Sequence, residues 1–208
     1  AAVRAIDYII DLKTRHGLNI VAINASWGSP GFSQILLEAI ARAAREDILF
    51  IAAAGNGGPD DIGDNNDQTP EYPASLDTTA LAGWDSVISV AATGQWDDLP
   101  GFSNYGERSV DLGAPGVSIL STAPQNRYAY SNGTSMAVPH VTGAAVLVSA
   151  ATGITGRGLR ARLLASVDRR PSLQGRTTTG GRPNVRAAFD SSSAPPPATL
   201  PAPWQSND

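Results

Sequence analysis

Short apolar runs alternate with amphipathic segments through the first half of the chain. The runs 19–24, 48–53 and 87–92 carry no charge and are rich in β-branched residues, as is typical of strands buried on both faces. Two segments with apolar residues at helical spacing, 2–16 and 33–46, precede the first and second runs. Alternation of this kind predicts βαβ units. We therefore expect an α/β fold with a doubly wound, mostly parallel sheet and helices on both faces.

Both helical segments also carry signals for their ends and for their buried faces. Gly17 suits the C-terminal cap of the first helix, since glycine accepts the left-handed conformation found there. Ser33 suits the N-cap of the second, because its side chain can accept a backbone N–H of the first turn. The stripe predicted to be buried on the second helix consists of Ile35, Leu36, Ala39, Ile40 and Ala43.

The second half of the chain has a less regular pattern. A loop runs from 55 to about 83, and loops of this length in compact domains tend to be functional. Residues 110–122 are predicted to be short extended pieces and 135–150 a buried helix, followed by a more polar helix over about 157–167 and a short one over 184–189.

A Pro-rich end sets the predicted domain boundary. Residues 191–208 read SSSAPPPATLPAPWQSND, a composition typical of extended linkers or tails without a core of their own. We predict one folded domain over 1–190 and a tail over 191–208.

Composition excludes several classes of protein. Apolar residues make up 42% of the chain, which predicts a packed globular core. The net charge of -4 gives no reason to expect a nucleic-acid partner, and the basic residues between Arg157 and Arg186 are interpreted as a solvated helix face and loop. No apolar run approaches the length of a membrane span. The lack of cysteine excludes a disulfide framework, a Cys-ligated zinc site and a thiol protease.

The segment Asn132-Gly-Thr-Ser-Met-Ala-Val-Pro-His140 carries the strongest chemical signal. Ser135 stands at the start of a predicted buried helix, where the first N–H groups lack intrahelical partners and the helix dipole adds positive potential. An oxyanion that develops beside Ser135 would therefore be stabilised by backbone already in place. Pro139 is expected in the first turn, where its missing N–H costs no hydrogen bond. Taken alone, Ser135 is more simply a helix N-cap.

The full string is similar to the nucleophile motif of the subtilisin (subtilase) family of serine endopeptidases, and helix capping explains none of its Met, Pro or His. Two further segments match the same family in the right order. Ala52-Ala-Ala-Gly-Asn-Gly57 resembles the oxyanion-hole segment, and Ser26-Trp27-Gly28 resembles the segment that lines the substrate groove. Tyr72-Pro73-Ala74 resembles a segment that borders the S1 pocket in relatives. The resemblance covers roughly 1–190, which it identifies as a partial peptidase domain.

The resemblance implies a role for each matched residue. Ser135 would be the nucleophile, and Asn56 would donate its side-chain amide to the oxyanion together with the N–H of Ser135. For Asn56 alone, a left-handed turn between two glycines is the simpler interpretation. An extended peptide substrate would pair with the groove backbone as an added strand. The residues implied in substrate binding are Ser26, Trp27, Gly28, Ala53, Ala54, Gly55, Tyr72 and Thr134.

The family's catalytic Asp and His have no counterpart in this sequence. In the family both precede the groove segment, and neither a D-[ST]-G nor an H-G-T-H string is present. His140 follows Ser135 by five residues on one helix and should point about 140° away from it, so it cannot take the hydroxyl proton. His16 ends a predicted helix, where a cation is favoured for structural reasons. We therefore expect the N-terminal part of the domain to be missing, and the chain alone to be nearly inactive with apolar surface exposed.

Cofactor and location follow from the resemblance. No cofactor is required, but subtilases often bind structural calcium in acidic loops, and the cluster from Asp60 to Asp67 is a candidate, with a solvated acidic loop as the equal alternative. An extracellular or cell-envelope location is expected, in a bacterial source suggested by the low Lys and high Arg, Ala and Gly usage.

Two other functions are alternatives to a peptidase. A non-catalytic peptide-binding pseudoprotease would keep the groove, but it would be free to lose Ser135 and Asn56. A lipase or esterase would need a G-x-S-x-G elbow, which the sequence around Ser135 does not supply. We therefore predict a serine endopeptidase that acts through an acyl-enzyme, with a polypeptide substrate.

Overall fold

A parallel sheet of four strands forms the centre of the protein. The computed structural model describes residues 1–190. Strands β1 (Ala22–Ala25), β2 (Leu49–Ala53), β3 (Val87–Thr93) and β4 (Leu112–Pro115) lie side by side in chain order, and all three pairings are parallel. The predicted parallel α/β sheet is therefore confirmed. The predicted tail, 191–208, lies outside the described residues.

Helices and two small antiparallel ladders surround this sheet. Strands β5 (Ile119–Ala123) and β6 (Arg127–Ser131) form a hairpin, and β7 (Val167–Arg169) pairs with β8 (Gly181–Pro183). The helices are α1 (Ala2–Thr14), α2 (Gln34–Arg45), α3 (Thr79–Ala82), α4 (Thr134–Thr152), α5 (Gly156–Ala165) and α6 (Val185–Phe189), with a short 3-10 helix at Pro171–Leu173. The sequence did not predict β6, β7 or β8.

The alternation of side chains along the strands divides the core between the two faces of the sheet. On β2, Leu49 and Ile51 pack in one cluster with residues of α4. Phe50 and Ala52 pack in a second cluster with residues of α1 and α2. Because neighbouring strand residues point to opposite faces, helices cover both faces of the sheet, as predicted.

The predicted buried face of α2 is correct except at one residue. Ser33 caps the helix by accepting the Leu36 N–H at 3.4 Å, and Leu36, Ala39, Ile40 and Ala43 are buried. Ile35 is 66% exposed, so its placement in the stripe was wrong. The buried residues follow the i, i+3, i+4, i+7 spacing from Leu36, and Ile35 lies about 100° away from that line.

Helix α4 crosses the sheet and brings Ser135 to one end of it. Its inner face is buried against the strands, but Val146 and Leu147 are 48% and 57% exposed, so the helix is buried on one side only. The sequence analysis expected no apolar run of membrane-spanning length, but among residues 1–190 helix α4 is long and apolar enough to cross a membrane, with 44% of that stretch buried. A core helix packed on a sheet has the same length and composition, so these properties do not by themselves indicate a membrane span.

One edge of the sheet is free in the described part of the chain. Strand β1 is the first strand of the sheet and pairs only with β2 among residues 1–190. Ser26 follows the last residue of β1 directly. The unpaired edge therefore begins next to the segment predicted to bind substrate, and it can accept a further strand.

Candidate active site

Three segments meet where the strands end and α4 begins. Ser26 follows β1, Gly55 lies two residues after β2, and Ser135 is the second residue of α4. The carboxyl ends of parallel strands meet at one edge of a sheet, which is the common place for ligand sites in α/β proteins. The structure thus brings together the three segments that the sequence analysis singled out.

Ser135 and Ser26 are joined by two hydrogen bonds. The Ser26 hydroxyl donates to the backbone oxygen of Ser135 at 2.8 Å, and the Ser135 hydroxyl donates to the backbone oxygen of Ser26 at 3.2 Å. The first bond has a cause in the sequence. Pro139 lies inside α4 as its sixth residue, not in the first turn as predicted, and it has no N–H to donate to the Ser135 oxygen four residues earlier. Ser26 supplies the donor that Pro139 lacks.

Asn56 is oriented by the first residue of α4. Its Oδ1 accepts the backbone N–H of Thr134 at 2.8 Å and the Thr134 hydroxyl at 3.0 Å. Because the two ends of a planar amide point apart, Nδ2 faces away from Thr134. Among residues 1–190 neither Asn56 Nδ2 nor the backbone N–H of Ser135 has an acceptor, so both donors are available to a ligand.

Gly133 allows α4 to begin at this point. It is the N-cap residue, with φ 147 and ψ 160, a conformation that only glycine adopts readily. Its N–H donates to Gly116 at 2.8 Å. A Cβ on Gly116 would lie 2.7 Å from the Gly133 oxygen, so the Ala114-Pro115-Gly116 turn packs directly under the start of the helix.

Two buried asparagines, Asn66 and Asn104, support the loop after β2. Asn104 is 3% exposed, and its Oδ1 accepts the N–H groups of Gly57 at 2.7 Å and Asp64 at 2.9 Å. Its Nδ2 donates to Asn66 at 3.0 Å, and Asn66 in turn donates to the Ala54 oxygen at 2.8 Å. This network brackets Asn56 on both sides and fixes the backbone from which it projects.

We expect Asn104→Ala to lower the free energy of unfolding by about 3 kcal/mol, because it leaves the N–H groups of Gly57 and Asp64 without their acceptor and the Asn66 Oδ1 without its donor. Urea unfolding of the full-length gene product measures this loss. The matched control is Asn65→Ala, which removes one acceptor of the Asp67 N–H and should cost about 1 kcal/mol. Equal losses in the two variants would contradict the supporting role of Asn104.

The segment that follows β1 is joined to the loop that carries Tyr72. Ser29 and Tyr72 form an antiparallel bridge, with N–H to oxygen distances of 2.8 and 2.9 Å in the two directions. Trp27 is 41% exposed next to it. Ala53 and Ala54 are buried, so their side chains contribute to the core, and the loop after them can contact a ligand only through its backbone.

The side chain of Glu71, which was not predicted to lie at the site, packs against two of the glycines predicted to bind substrate. A Cβ added to Gly28 would overlap the Glu71 carboxylate, and one added to Gly55 would lie 3.3 Å from its Cγ. The Glu71 side chain therefore lies between the two glycines. Partial burial raises the pKa of Glu71 above its usual value, and the negative charge of Asp64 raises it further.

Neither histidine of the chain is hydrogen-bonded to Ser135. His140 Nδ1 lies 2.9 Å from the Met136 oxygen, one turn back on α4. His16 lies past the end of α1 with Nε2 3.6 Å from Asp11 Oδ2. Among the described side chains, none of Asp, Glu or His accepts the hydrogen bond of the Ser135 hydroxyl.

The acidic loop does not assemble its carboxylates around a common point. No group of three His, Cys, Asp or Glu side chains that could hold a metal ion is present among residues 1–190. Asp67 accepts the Ser109 hydroxyl at 2.7 Å and the Ser109 N–H at 2.9 Å, bonds that hold the pKa of its carboxyl below the usual value against the opposing effect of burial. Calcium binding by the segment from Asp60 to Asp67 stays a prediction.

Comparisons with known proteins agree with this geometry. The profile of the Subtilase family of peptidases matches residues 2–189. Subtilisin DY from Bacillus licheniformis is 40% identical over 139 residues, which are 67% of this chain and 45% of that protein. Subtilisin BL from Lederbergia lenta is 37% identical over 147 residues, 71% of this chain and 48% of that protein. The chain thus spans about half the length of the curated relatives it matches.

Solved structures share the fold. A chain from the structure of the subtilase cytotoxin SubAB superposes with a TM-score of 0.73 at 26% identity, covering 90% of this chain and 63% of that chain. The prenylagaramide maturation protease PagA gives a TM-score of 0.69 at 26% identity, covering 93% and 67%. The predicted fold class is confirmed by these superpositions.

Proposed function

Because the chain belongs to the subtilase family of peptidases, we propose that it supplies the nucleophile, the oxyanion hole and the substrate groove of a serine endopeptidase. The observation that carries this proposal is the pair of free donors, Asn56 Nδ2 and the Ser135 N–H, beside the hydroxyl of Ser135. If Ser135 only capped the helix, it would not require an asparagine whose amide N–H groups are left free.

In the proposed reaction Ser135 Oγ attacks the carbonyl carbon of the scissile peptide bond. A histidine takes the hydroxyl proton, and the negative charge moves to the carbonyl oxygen, where the N–H of Ser135 and Nδ2 of Asn56 bind it. The C–N bond then breaks as the histidine returns the proton to the leaving amine. Water then attacks the acyl carbon and loses a proton to the same histidine. The bond between the acyl carbon and Ser135 Oγ breaks as the histidine returns this proton to Oγ, and the acid product leaves.

We propose that this histidine, and the aspartate that orients it, lie outside the 208 residues. Both histidines of the chain have other partners, Met136 and Asp11. The unpaired edge of β1 beside Ser26 can receive strands from the N-terminal part of the same peptidase domain, which is the partner that the groove and nucleophile require.

The substrate proposed is an extended polypeptide. Ser26, Trp27 and Gly28 leave the sheet at the edge of β1, where a peptide can pair with the backbone and needs no particular side chain for most of its length. The similarity to bacterial subtilisins supports a bacterial source and an extracellular or cell-envelope location as part of this proposal. No nucleic-acid partner and no membrane span are proposed, and structural calcium is the one metal considered.

The decisive experiment is covalent labelling with a fluorophosphonate. The full-length gene product should react, and mass spectrometry should place the single phosphonyl group on Ser135, because only a serine activated by a base and an oxyanion hole attacks phosphorus rapidly. The same protein unfolded in urea is the control and should not react.

A folded full-length protein that never labels would contradict the endopeptidase and favour the peptide-binding pseudoprotease instead. Labelling at a serine other than Ser135 would contradict the assignment of the nucleophile while leaving a serine hydrolase in place.

A further inference from the structure

Asparagine is followed directly by glycine at two places in the chain, 56–57 and 132–133, and both pairs lie at the proposed site. Asparagine is a thermolabile residue, and a following glycine makes it more so because no side chain shields the attacking nitrogen. The glycine nitrogen loses its proton to solvent, attacks Cγ of the asparagine and forms a cyclic imide. The Cγ–Nδ2 bond breaks, and the amide nitrogen takes a proton back and leaves as ammonia. Water then opens the imide to aspartate or isoaspartate.

The backbone requires a glycine after Asn56. Gly57 has φ +72, a left-handed conformation that disfavours other residues, and a Cβ there would overlap the backbone oxygen of Ile62. Asn56 is itself exposed to solvent, and its Nδ2 is the proposed oxyanion donor. The chain therefore keeps a labile pair at a position where water can reach the asparagine.

One hydrogen bond restrains the nitrogen that would attack. The Gly57 N–H donates to Asn104 Oδ1 at 2.7 Å, and Asn104 is 3% exposed. To react, this N–H must lose its proton and the nitrogen must approach Cγ of Asn56. The bond opposes both steps, since the hydrogen points at a buried acceptor and the peptide plane is held.

The acceptor is fixed by its own partners. Asn104 Nδ2 donates to Asn66 at 3.0 Å, and the Asn104 N–H donates to the Gly55 oxygen at 3.0 Å. The residues on both sides of Asn56 are thus tied to Asn104. The Gly57 bond opens only when this part of the loop separates from Asn104, and local openings of this kind are rare in a packed region.

The atom that would be attacked is also restrained. Asn56 Oδ1 accepts the N–H of Thr134 at 2.8 Å and its hydroxyl at 3.0 Å. Cγ of Asn56 cannot turn toward the Gly57 nitrogen without breaking these two bonds.

The second pair carries the same two restraints from different partners. The Gly133 N–H donates to the Gly116 oxygen at 2.8 Å, and Asn132 Oδ1 accepts the Ser118 N–H at 2.7 Å. Here both partners are backbone groups. The pair 132–133 therefore serves as an internal reference that a substitution at Asn104 does not touch.

We propose that Asn56 is a site of spontaneous deamidation, and that Asn104 keeps it intact by holding the Gly57 N–H. Deamidation replaces Nδ2 by a carboxylate oxygen, so the modified chain loses one of its two free donors beside Ser135. The resulting loss of activity rests on the proposed endopeptidase function, whereas the modification and its prevention by Asn104 do not.

The test uses the full-length gene product with Ser135→Ala, so that the proposed activity cannot cleave the chain during incubation. Peptide mass spectrometry after incubation at mildly alkaline pH measures deamidation at Asn56 and Asn132. Both rates should be at least about tenfold lower in the folded protein than in urea. Adding Asn104→Ala should raise the rate at Asn56 about tenfold and leave the rate at Asn132 unchanged.

Leu159→Ala is the matched control. Leu159 is fully buried in α5, so its truncation should cost about as much stability as Asn104→Ala without touching the Gly57 bond. It acts only through global unfolding and should change the rates at Asn56 and Asn132 by the same factor. If Asn104→Ala does not fold, Asn66→Ala decides, because it frees Asn104 Nδ2 and should raise the rate at Asn56 alone by about threefold.

Equal rates at Asn56 in the folded protein and in urea would overturn the inference and leave the endopeptidase intact. The same holds if Asn104→Ala accelerates Asn56 and Asn132 equally. With Ser135 restored, activity should fall in proportion to the fraction of chains deamidated at Asn56. Selective deamidation with undiminished activity would support the role of Asn104 and contradict the oxyanion role of Asn56.

Discussion

Replacing Ser135 by alanine is expected to lower kcat of the full-length gene product by about 10⁶-fold, with KM changed little. The magnitude is taken over from subtilisin, a member of the same family, and is not worked out from this structure. The physical reason is that the acyl-enzyme of the proposed reaction forms on the Ser135 oxygen, which alanine lacks. Hydrolysis of a peptide amide, measured at saturating substrate, gives kcat directly.

Stability should hardly change in the same variant, which separates a chemical effect from unfolding. The Ser135 hydroxyl makes one described hydrogen bond, to the Ser26 oxygen, worth about 1 kcal/mol. Ser121→Ala, on the exposed face of β5, is the matched control and should keep full activity. If Ser135→Ala kept more than about one part in a hundred of the original kcat, another residue would have to be the nucleophile.

Asn56→Ala is expected to lower kcat by about 10²- to 10³-fold, again with little change in KM. This magnitude is the one known for an oxyanion-hole asparagine in subtilisin and is adopted here for a relative. The donor Nδ2 should act only when charge develops on the carbonyl oxygen, so its loss should appear in kcat and leave substrate binding alone.

A second substitution at the same position separates the donor from the support of the loop. Alanine also removes the Oδ1 that accepts both the N–H and the hydroxyl of Thr134. Asn56→Asp keeps that acceptor but replaces the donor by a charged oxygen, so it should preserve stability and still lose at least as much kcat as alanine. An aspartate variant with near-normal kcat would show that Asn56 positions Thr134 and does not bind the oxyanion.

The strands and long helices could be predicted because their signals are local. Apolar runs without charge mark β2 and β3 within one residue, and the stripe on α2 follows helical spacing from Leu36. Periodicity alone defines the buried face of a helix only to within the rotation between neighbouring residues. Ile35 was therefore assigned to the buried face although it is exposed. Strand β6 was missed because its residues are all exposed and show no buried alternation.

The nucleophile segment could be predicted, whereas the residues that support and complete the site could not. Ser135 and Asn56 stand in strings with a distinctive order of residue types. Asn104 and Glu71 stand in loops, and their contacts involve residues distant along the chain. Asn104 bonds to Gly57, 47 residues away, and Glu71 packs against Gly28. An asparagine in a loop indicates a supporting role only when it is known which other loop its side chain contacts, and the sequence does not show those contacts.

The bonded residues of the proposed site are far apart along the chain, which determines when the site can form during folding. Ser26 and Ser135 are bonded across 109 residues, and Asn56 and Thr134 across 78. Contacts between distant positions form late, since the entropy of closing the intervening loop must be overcome first. A folding or newly synthesised chain should therefore assemble the proposed site only after the segments between these residues have folded.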